Sequence, residues 1–173
     1  MSEGVAMSTN QPRATSELAG KYLTFAVSKE RYGIEILTIQ EIIQVPQLTR
    51  VPKSPEHTKG VINLRGKIIP VIDLRGRFGI VEIPYNERTC IIVVHMKRGS
   101  STVPIGLVVD TVLEVLDFEP KEIEPSPAYG DSFDSSAILG LGRKGSIVTI
   151  LLDAQILLGV MKDFEHKDLQ EHA

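Results

Sequence analysis

The chain predicts an all-β fold: two small, similarly built barrels in tandem, followed by a C-terminal α-helix. Only 5% of the 173 residues are aromatic and none is Trp, although 42% are hydrophobic. A core must therefore come mainly from Ile, Val and Leu, whose branched side chains pack well on a pleated surface. These residues occur in short runs separated by Gly, Pro and charged clusters, the spacing of small barrels or sandwiches. The runs also repeat. Gly33–Ile43 can be laid over Gly106–Leu116 without a gap, and Arg65–Ile72 over Lys144–Leu151 at a slightly larger offset.

In chain order, residues 1–18 are polar and nearly free of bulky apolar groups, too poor in burial to offset the entropy of ordering, and read as a flexible tail. Strands are predicted at Tyr22–Val27, Ile34–Ile36, Val61–Leu64 and Ile68–Ile72 in the first unit, about 20–86. In the second unit, about 87–152, they fall at Cys90–Met96, Ile105–Val109 and Ile147–Leu152. Each unit is near the lower size limit for independent folding and must lean on the other. Closing each into a barrel removes most exposed strand edges. Pro125–Ser136 is polar and loop-like, with no role assigned. From Asp153 the period changes. Ile156, Leu157, Val160, Met161 and Phe164 share one helical face, and Asp153 is placed to cap the helix. The folded domain is thus 19–160, with 161–173 as the end of the helix and a tail.

A net charge of -3 and a pI near 5.8 argue against nucleic acid as a partner, since such binding draws on clustered Lys and Arg. Cys90 is the single cysteine, which excludes an intrachain disulfide and fits a reducing compartment, so the cytoplasm is the default. No apolar stretch is long enough for a membrane span, and the polar opening lacks the apolar segment of a signal peptide. Gly140, Gly142 and Gly145 match a bare dinucleotide-binding spacing, but a strand follows where a helix is required, so they read as a turn. His57, His95, His166 and His172 have no metal-ligand spacing, and Cys90 reads as a core residue. No nucleophile elbow or phosphate loop is present. The expectation is a protein with no catalytic residue, metal or cofactor.

Two charged positions stand out. Arg65-Gly66-Lys67 reads as a hairpin turn in which Gly takes the left-handed conformation. Either its charges are merely solvated, or the turn displays Arg65 on a rigid stem, ready to fork onto carboxylates or carbonyls of a partner. Glu41, inside the apolar run Ile36–Val45, is either that run's wet face or, if it borders the Arg65 turn, part of a polar rim around an apolar patch. A near-repeat, Asn63-Leu-Arg-Gly66 and Asp73-Leu-Arg-Gly76, marks the same region.

The run Lys59–Leu74 resembles the signature of CheW-type chemotaxis coupling proteins and of the matching regulatory domain of CheA-type histidine kinases. Ile39–Ile42, Gly106–Asp110, Val112–Leu116 and Ile138–Gly142 strengthen the resemblance, which covers about 20–160. It implies two tandem five-stranded SH3-like barrels and a non-catalytic adaptor. Its implied partners are the cytoplasmic tip of methyl-accepting chemoreceptors and the regulatory domain of a CheA-type kinase. It places Arg65, Glu41, Ile39, Gly60 and Asn63 at the receptor-contacting surface, and Ile43, Val45 and Tyr129 toward the kinase. Location would be cytoplasmic, with recruitment to membrane arrays only through partners. The same barrels could serve a non-flagellar chemosensory pathway, and a ligand-binding or enzymatic double barrel is the rival from another class.

Overall fold

The structure is a computed structural model that describes residues 14–46, 58–125 and 136–159. Its elements are α1 (Thr15–Leu18), β1 (Gly20–Val27), β2 (Glu30–Glu35), β3 (Ile39–Gln44), β4 (Thr58–Leu64), β5 (Lys67–Asp73) and α2 (Leu74–Arg77). These are followed by β6 (Cys90–Arg98), β7 (Ser101–Val109), β8 (Thr111–Phe118), β9 (Ile123–Pro125), β10 (Ile138–Lys144), β11 (Ile147–Leu152) and α3 (Ala154–Gly159).

The strands form two curled sheets. One has five strands in the order β3-β6-β7-β5-β4; the other has six in the order β8-β1-β2-β11-β10-β9, its extra member being the three-residue β9. The expected division into contiguous units at residue 86 is corrected by this order, because each sheet takes strands from both halves of the chain. The links explain why. Asp110 alone joins β7 to β8, too short for a hairpin reversal, so the chain runs on from one sheet into the other. A 3-10 turn at Ile36–Thr38 carries β2 into β3 in the same way. The halves meet in four strand pairs: β3 with β6 and β1 with β8, which are antiparallel, and β5 with β7 and β2 with β11, which are parallel.

The repeat itself is real, and the structure sets its register. Thr58, Gly60, Val71 and Ile72 map onto Ile138, Gly140, Leu151 and Leu152, with the same bulge in each hairpin and a uniform shift of 80 residues. The sequence overlay of Arg65 on Lys144 is therefore one residue short, and Arg65 falls on Gly145. The glycines mislead it: Gly66 is the second residue of its turn, whereas Gly145 is the first of the equivalent turn.

Three cores hold the molecule. Inside the five-stranded barrel lie Ile62, Ile69, Val71, Ile91, Val93 and Val108. Inside the six-stranded one lie Leu18, Tyr22, Phe118, Ile123 and Leu151. Between the barrels a shared core draws Leu23, Phe25 and Ile34 from one sheet, Ile92, Val94 and Leu107 from the other, and Leu157 and Leu158 from α3. Central strands such as β6 are thus apolar on both faces, which accounts for their unbroken apolar runs.

Residues 14–18, expected in the tail, are part of the fold. Leu18 is buried, and the Tyr22 hydroxyl donates to its carbonyl at 2.7 Å. Asp153 caps α3, accepting from the Ile156 N–H at 3.1 Å. Val160, Met161, Phe164 and most of the 125–136 loop lie outside the described residues. Of the three glycines read as a turn, only Gly145 is in one. Gly140 and Gly142 are in β10, where a Cβ on Gly142 would lie 2.6 Å from the Phe118 ring.

Candidate partner-binding site

The β4–β5 hairpin closes through a two-residue loop, Arg65-Gly66, with φ of 52° and 86°. Two left-handed residues in sequence are the requirement of the turn whose twist suits a hairpin. Arg65 is the costly one, since a side chain disfavours positive φ. Asn63 offsets that cost: its Oδ1 accepts from the Gly66 N–H at 2.9 Å and locks the turn. Asn63 thus shapes the loop that presents Arg65. Gly60 is buried at the bulge of β4 with φ of 144°, so it contributes backbone geometry and no contact surface.

The guanidinium of Arg65 reaches β3 and forks onto Glu41, Nη1 donating to Oε2 at 2.5 Å and Nη2 to Oε1 at 2.7 Å. Gln40 Nε2 donates to Glu41 Oε2 at 3.2 Å. Those hydrogen bonds, the Arg65 fork foremost, lower the Glu41 carboxyl to a pKa of about 2, and the carboxylate in turn raises that of Arg65. The Arg65 side chain nevertheless stays 69% exposed, against 20% for Glu41. A fixed, permanently charged fork therefore faces solvent on a rigid turn, with Ile39 half-buried at the start of β3 and packed on the shared core. Of the sequence-expected group, Arg65, Glu41 and Asn63 are brought together, with Ile39 on the same strand as Glu41 and Gly60 on the same strand as Asn63.

The kinase-facing expectation fares differently. Ile43 and Val45 pack on the core inside the five-stranded barrel, and the exposed apolar residue of β3 is their neighbour Ile42. Strand alternation explains the difference, since Ile42 lies on the opposite face from Ile43. Tyr129 lies outside the described residues. Ile68 on β5 is also exposed. The repeat register places Val115 and Val148 of the other barrel at the positions equivalent to Ile42 and Ile68, and both are exposed as well. These apolar positions were missed by reading runs without their facing.

The second barrel does not duplicate the fork. Glu114 occupies the position of Glu41 but pairs with Arg31 of β2 at 3.3 Å, and Gly145 stands where Arg65 would be. Among the described residues no cluster of His, Cys, Asp and Glu could hold a metal ion. No helix among them is long and apolar enough to cross a membrane. Cys90 is half-buried against the shared core.

Two fused barrels that share a core and hold one charged fork rigidly outward define a protein that works by presenting surfaces. The CheW-like domain family model matches residues 21–160. The chain is 40% identical over 148 residues to a chemotaxis protein CheW of Klebsiella aerogenes, covering 83% of this chain and 87% of that protein. A chemotaxis protein CheW of Treponema pallidum is 26% identical over 162 residues, covering 94% and 92%. The scaffolding protein TtCheW of Thermoanaerobacter tengcongensis, known from its crystal structure, superposes with a TM-score of 0.71 at 34% identity, covering 81% of this chain and 88% of that one. The chain belongs to the CheW-like family, whose members are non-catalytic scaffolds, and it is an adaptor of chemotaxis signalling.

Proposed function

We propose that this adaptor couples the cytoplasmic tips of chemoreceptors to a CheA-type histidine kinase, with the receptor contacting the face built on Arg65 and Glu41. The observation that carries the reading is the exposure of Arg65 within an otherwise satisfied ion pair. Its exposed N–H groups can meet carboxylates or backbone carbonyls on a helical tip, and Ile39 supplies apolar surface on the same strand as Glu41. The kinase contact falls to the exposed residues Ile42, Ile68, Val115 and Val148, apolar positions suited to a partner of similar barrels. The adaptor acts by holding both partners in fixed geometry, so that a change at the receptor alters kinase activity through the assembly. It works in the cytoplasm, reaches the membrane only through the receptor, and needs no nucleic acid or cofactor.

Co-sedimentation with receptor-bearing membranes and kinase tests this. The adaptor should come down with the membranes, and Arg65→Ala should weaken that association while kinase binding persists. If the unmodified protein brings down neither partner, the coupling role is wrong. If Arg65→Ala binds receptor as before, the site is wrong.

A further inference from the structure

The motifs Asp73-Leu-Arg-Gly76 and Gly106–Asp110 take no part in the proposed partner face, yet the structure joins them. Arg75 of α2 forks onto Asp110, Nε donating to Oδ1 at 2.9 Å and Nη2 to Oδ2 at 2.7 Å. Asp110 is the single residue on which the chain crosses from the five-stranded to the six-stranded sheet. Its own N–H donates to the Ala26 carbonyl at 3.0 Å, and its Oδ2 also accepts from the Ser28 N–H at 2.7 Å. One carboxylate thus ties the helix after β5 in one barrel to the β1–β2 turn of the other. Arg75 is itself braced, its Nη1 donating to the Val81 carbonyl and its backbone N–H to Asp73 Oδ1, both at 2.9 Å. The side chains of Arg75 and Asp110 are only 13% and 23% exposed, so solvent screens the pair little. Burial works against the Asp110 charge, but the hydrogen bonds from Arg75 and Ser28 hold its carboxyl below the usual range.

The repeat register supplies a second, independent contact of the same kind. Asp73 maps onto Asp153, both carboxylates capping the helix that follows, and Arg75 maps onto Gln155. Gln155 reaches from α3, at the end of the six-stranded sheet, to β6 of the five-stranded one. Its Nε2 donates to the His95 carbonyl at 2.7 Å, and its Oε1 accepts from the Lys97 N–H at 2.9 Å. Between the two helices, Arg77 Nη2 donates to the Leu157 carbonyl at 3.2 Å. The other crossover, through Ile36–Thr38, has a different character: Leu37, which maps onto Asp110, is 92% exposed.

We infer that Arg75–Asp110 and Gln155–β6 are paired clasps that fix the angle between the two barrels, which makes these side chains positioning residues for the surfaces each barrel presents. Apolar packing in the shared core is non-directional and tolerates small rotations. The clasps supply the direction, because a bidentate fork and a two-point amide contact each hold one geometry.

The test uses the full chain with Cys90→Ala and spin labels at Lys67→Cys on one barrel and Lys121→Cys on the other, both exposed. Pulsed electron spin resonance then gives the distance distribution between barrels. Asp110→Asn combined with Gln155→Met should broaden it about twofold, as expected when one fixed arrangement gives way to several, with each barrel still protected against amide exchange. An unchanged narrow distribution in this folded variant would overturn the inference, even if the unfolding midpoint drops, since that is the mark of residues that merely add stability. Should the joint variant fail to fold, Arg75→Met and Gln155→Met are read singly, and the inference falls if neither broadens the distribution. No receptor or kinase enters the measurement, so its outcome is separate from that of the proposed function.

Discussion

Two threonines inside the six-stranded barrel should respond in opposite directions to the same substitution. Thr149 and Thr24 are both fully buried. The Thr24 hydroxyl fills the bulge between β1 and β8, donating to the Glu114 carbonyl at 2.6 Å and accepting from the Glu114 N–H at 3.1 Å. The Thr149 hydroxyl finds no partner among the described residues. A buried hydroxyl without a partner costs about 1–3 kcal/mol, and Val differs from Thr only by a methyl in place of that hydroxyl. The other barrel performs the comparison already, since Ile69 occupies the position equivalent to Thr149 and is buried in its core. Thr149→Val should therefore stabilise by about 1–2 kcal/mol, which at this chain length raises the thermal midpoint by about 2–8 °C. Thr24→Val should lose about 1–2 kcal/mol, because it strands the Glu114 backbone groups. Urea titration of both variants, with the slope unchanged, gives the two numbers. A Thr149→Val midpoint at or below that of the unmodified protein would refute the reasoning, as would equal responses of the two threonines.

Other changes follow from contacts already described. Gly142→Ala places a Cβ 2.6 Å from the Phe118 ring and should destabilise by roughly 1–3 kcal/mol, as overpacking does. Adding Phe118→Leu should recover part of that loss in the same titration. Arg65→Ala removes the main cause of the depressed Glu41 pKa, so carboxyl-detected NMR should show it move from about 2 toward the ordinary value of 4.5. The sign is that of a lowered carboxylate: what the pair adds to stability is complete above the unfolded pKa and is lost as pH falls toward the folded one. Tyr85→Phe removes the hydroxyl that donates to the buried Asp73 Oδ2 at 2.9 Å and should cost about 1–3 kcal/mol. Asp73 has the opposite sign, since burial raises its pKa. Its contribution is complete below the unfolded value and is lost as pH rises through the folded one. The Tyr85→Phe deficit should therefore grow as pH rises through the folded-state pKa of Asp73, as thermal unfolding over a pH series would show.

Strand positions were legible wherever branched residues ran together, as at Cys90–Met96, because side-chain shape acts locally. Which strands pair was not legible, because pairing depends on links such as Asp110, whose brevity matters only once its flanking strands are known to be complete. The Arg65 turn was readable from its glycine, and Glu41 from its charge within an apolar run. Their union was not, since it joins β3 to a hairpin that follows in another part of the sheet. That Ile42 faces out while Ile43 packs inward was not legible, because an unbroken apolar run hides which residues face out. The clasp was out of reach for a related reason: Arg75 and Asp110 each look like an ordinary surface charge until the crossover brings them together.

Reversing the fork tests the receptor-facing claim most directly. Glu41→Arg with Arg65→Glu can rebuild the internal ion pair while setting a carboxylate where the guanidinium now faces outward. Each variant is sedimented separately with receptor-bearing membranes and with kinase. The account predicts that Arg65→Glu alone and the reversed pair both lose receptor membranes and both keep the kinase. Recovery of receptor binding by the reversed pair would contradict it, because the fork would then matter only as an internal strut.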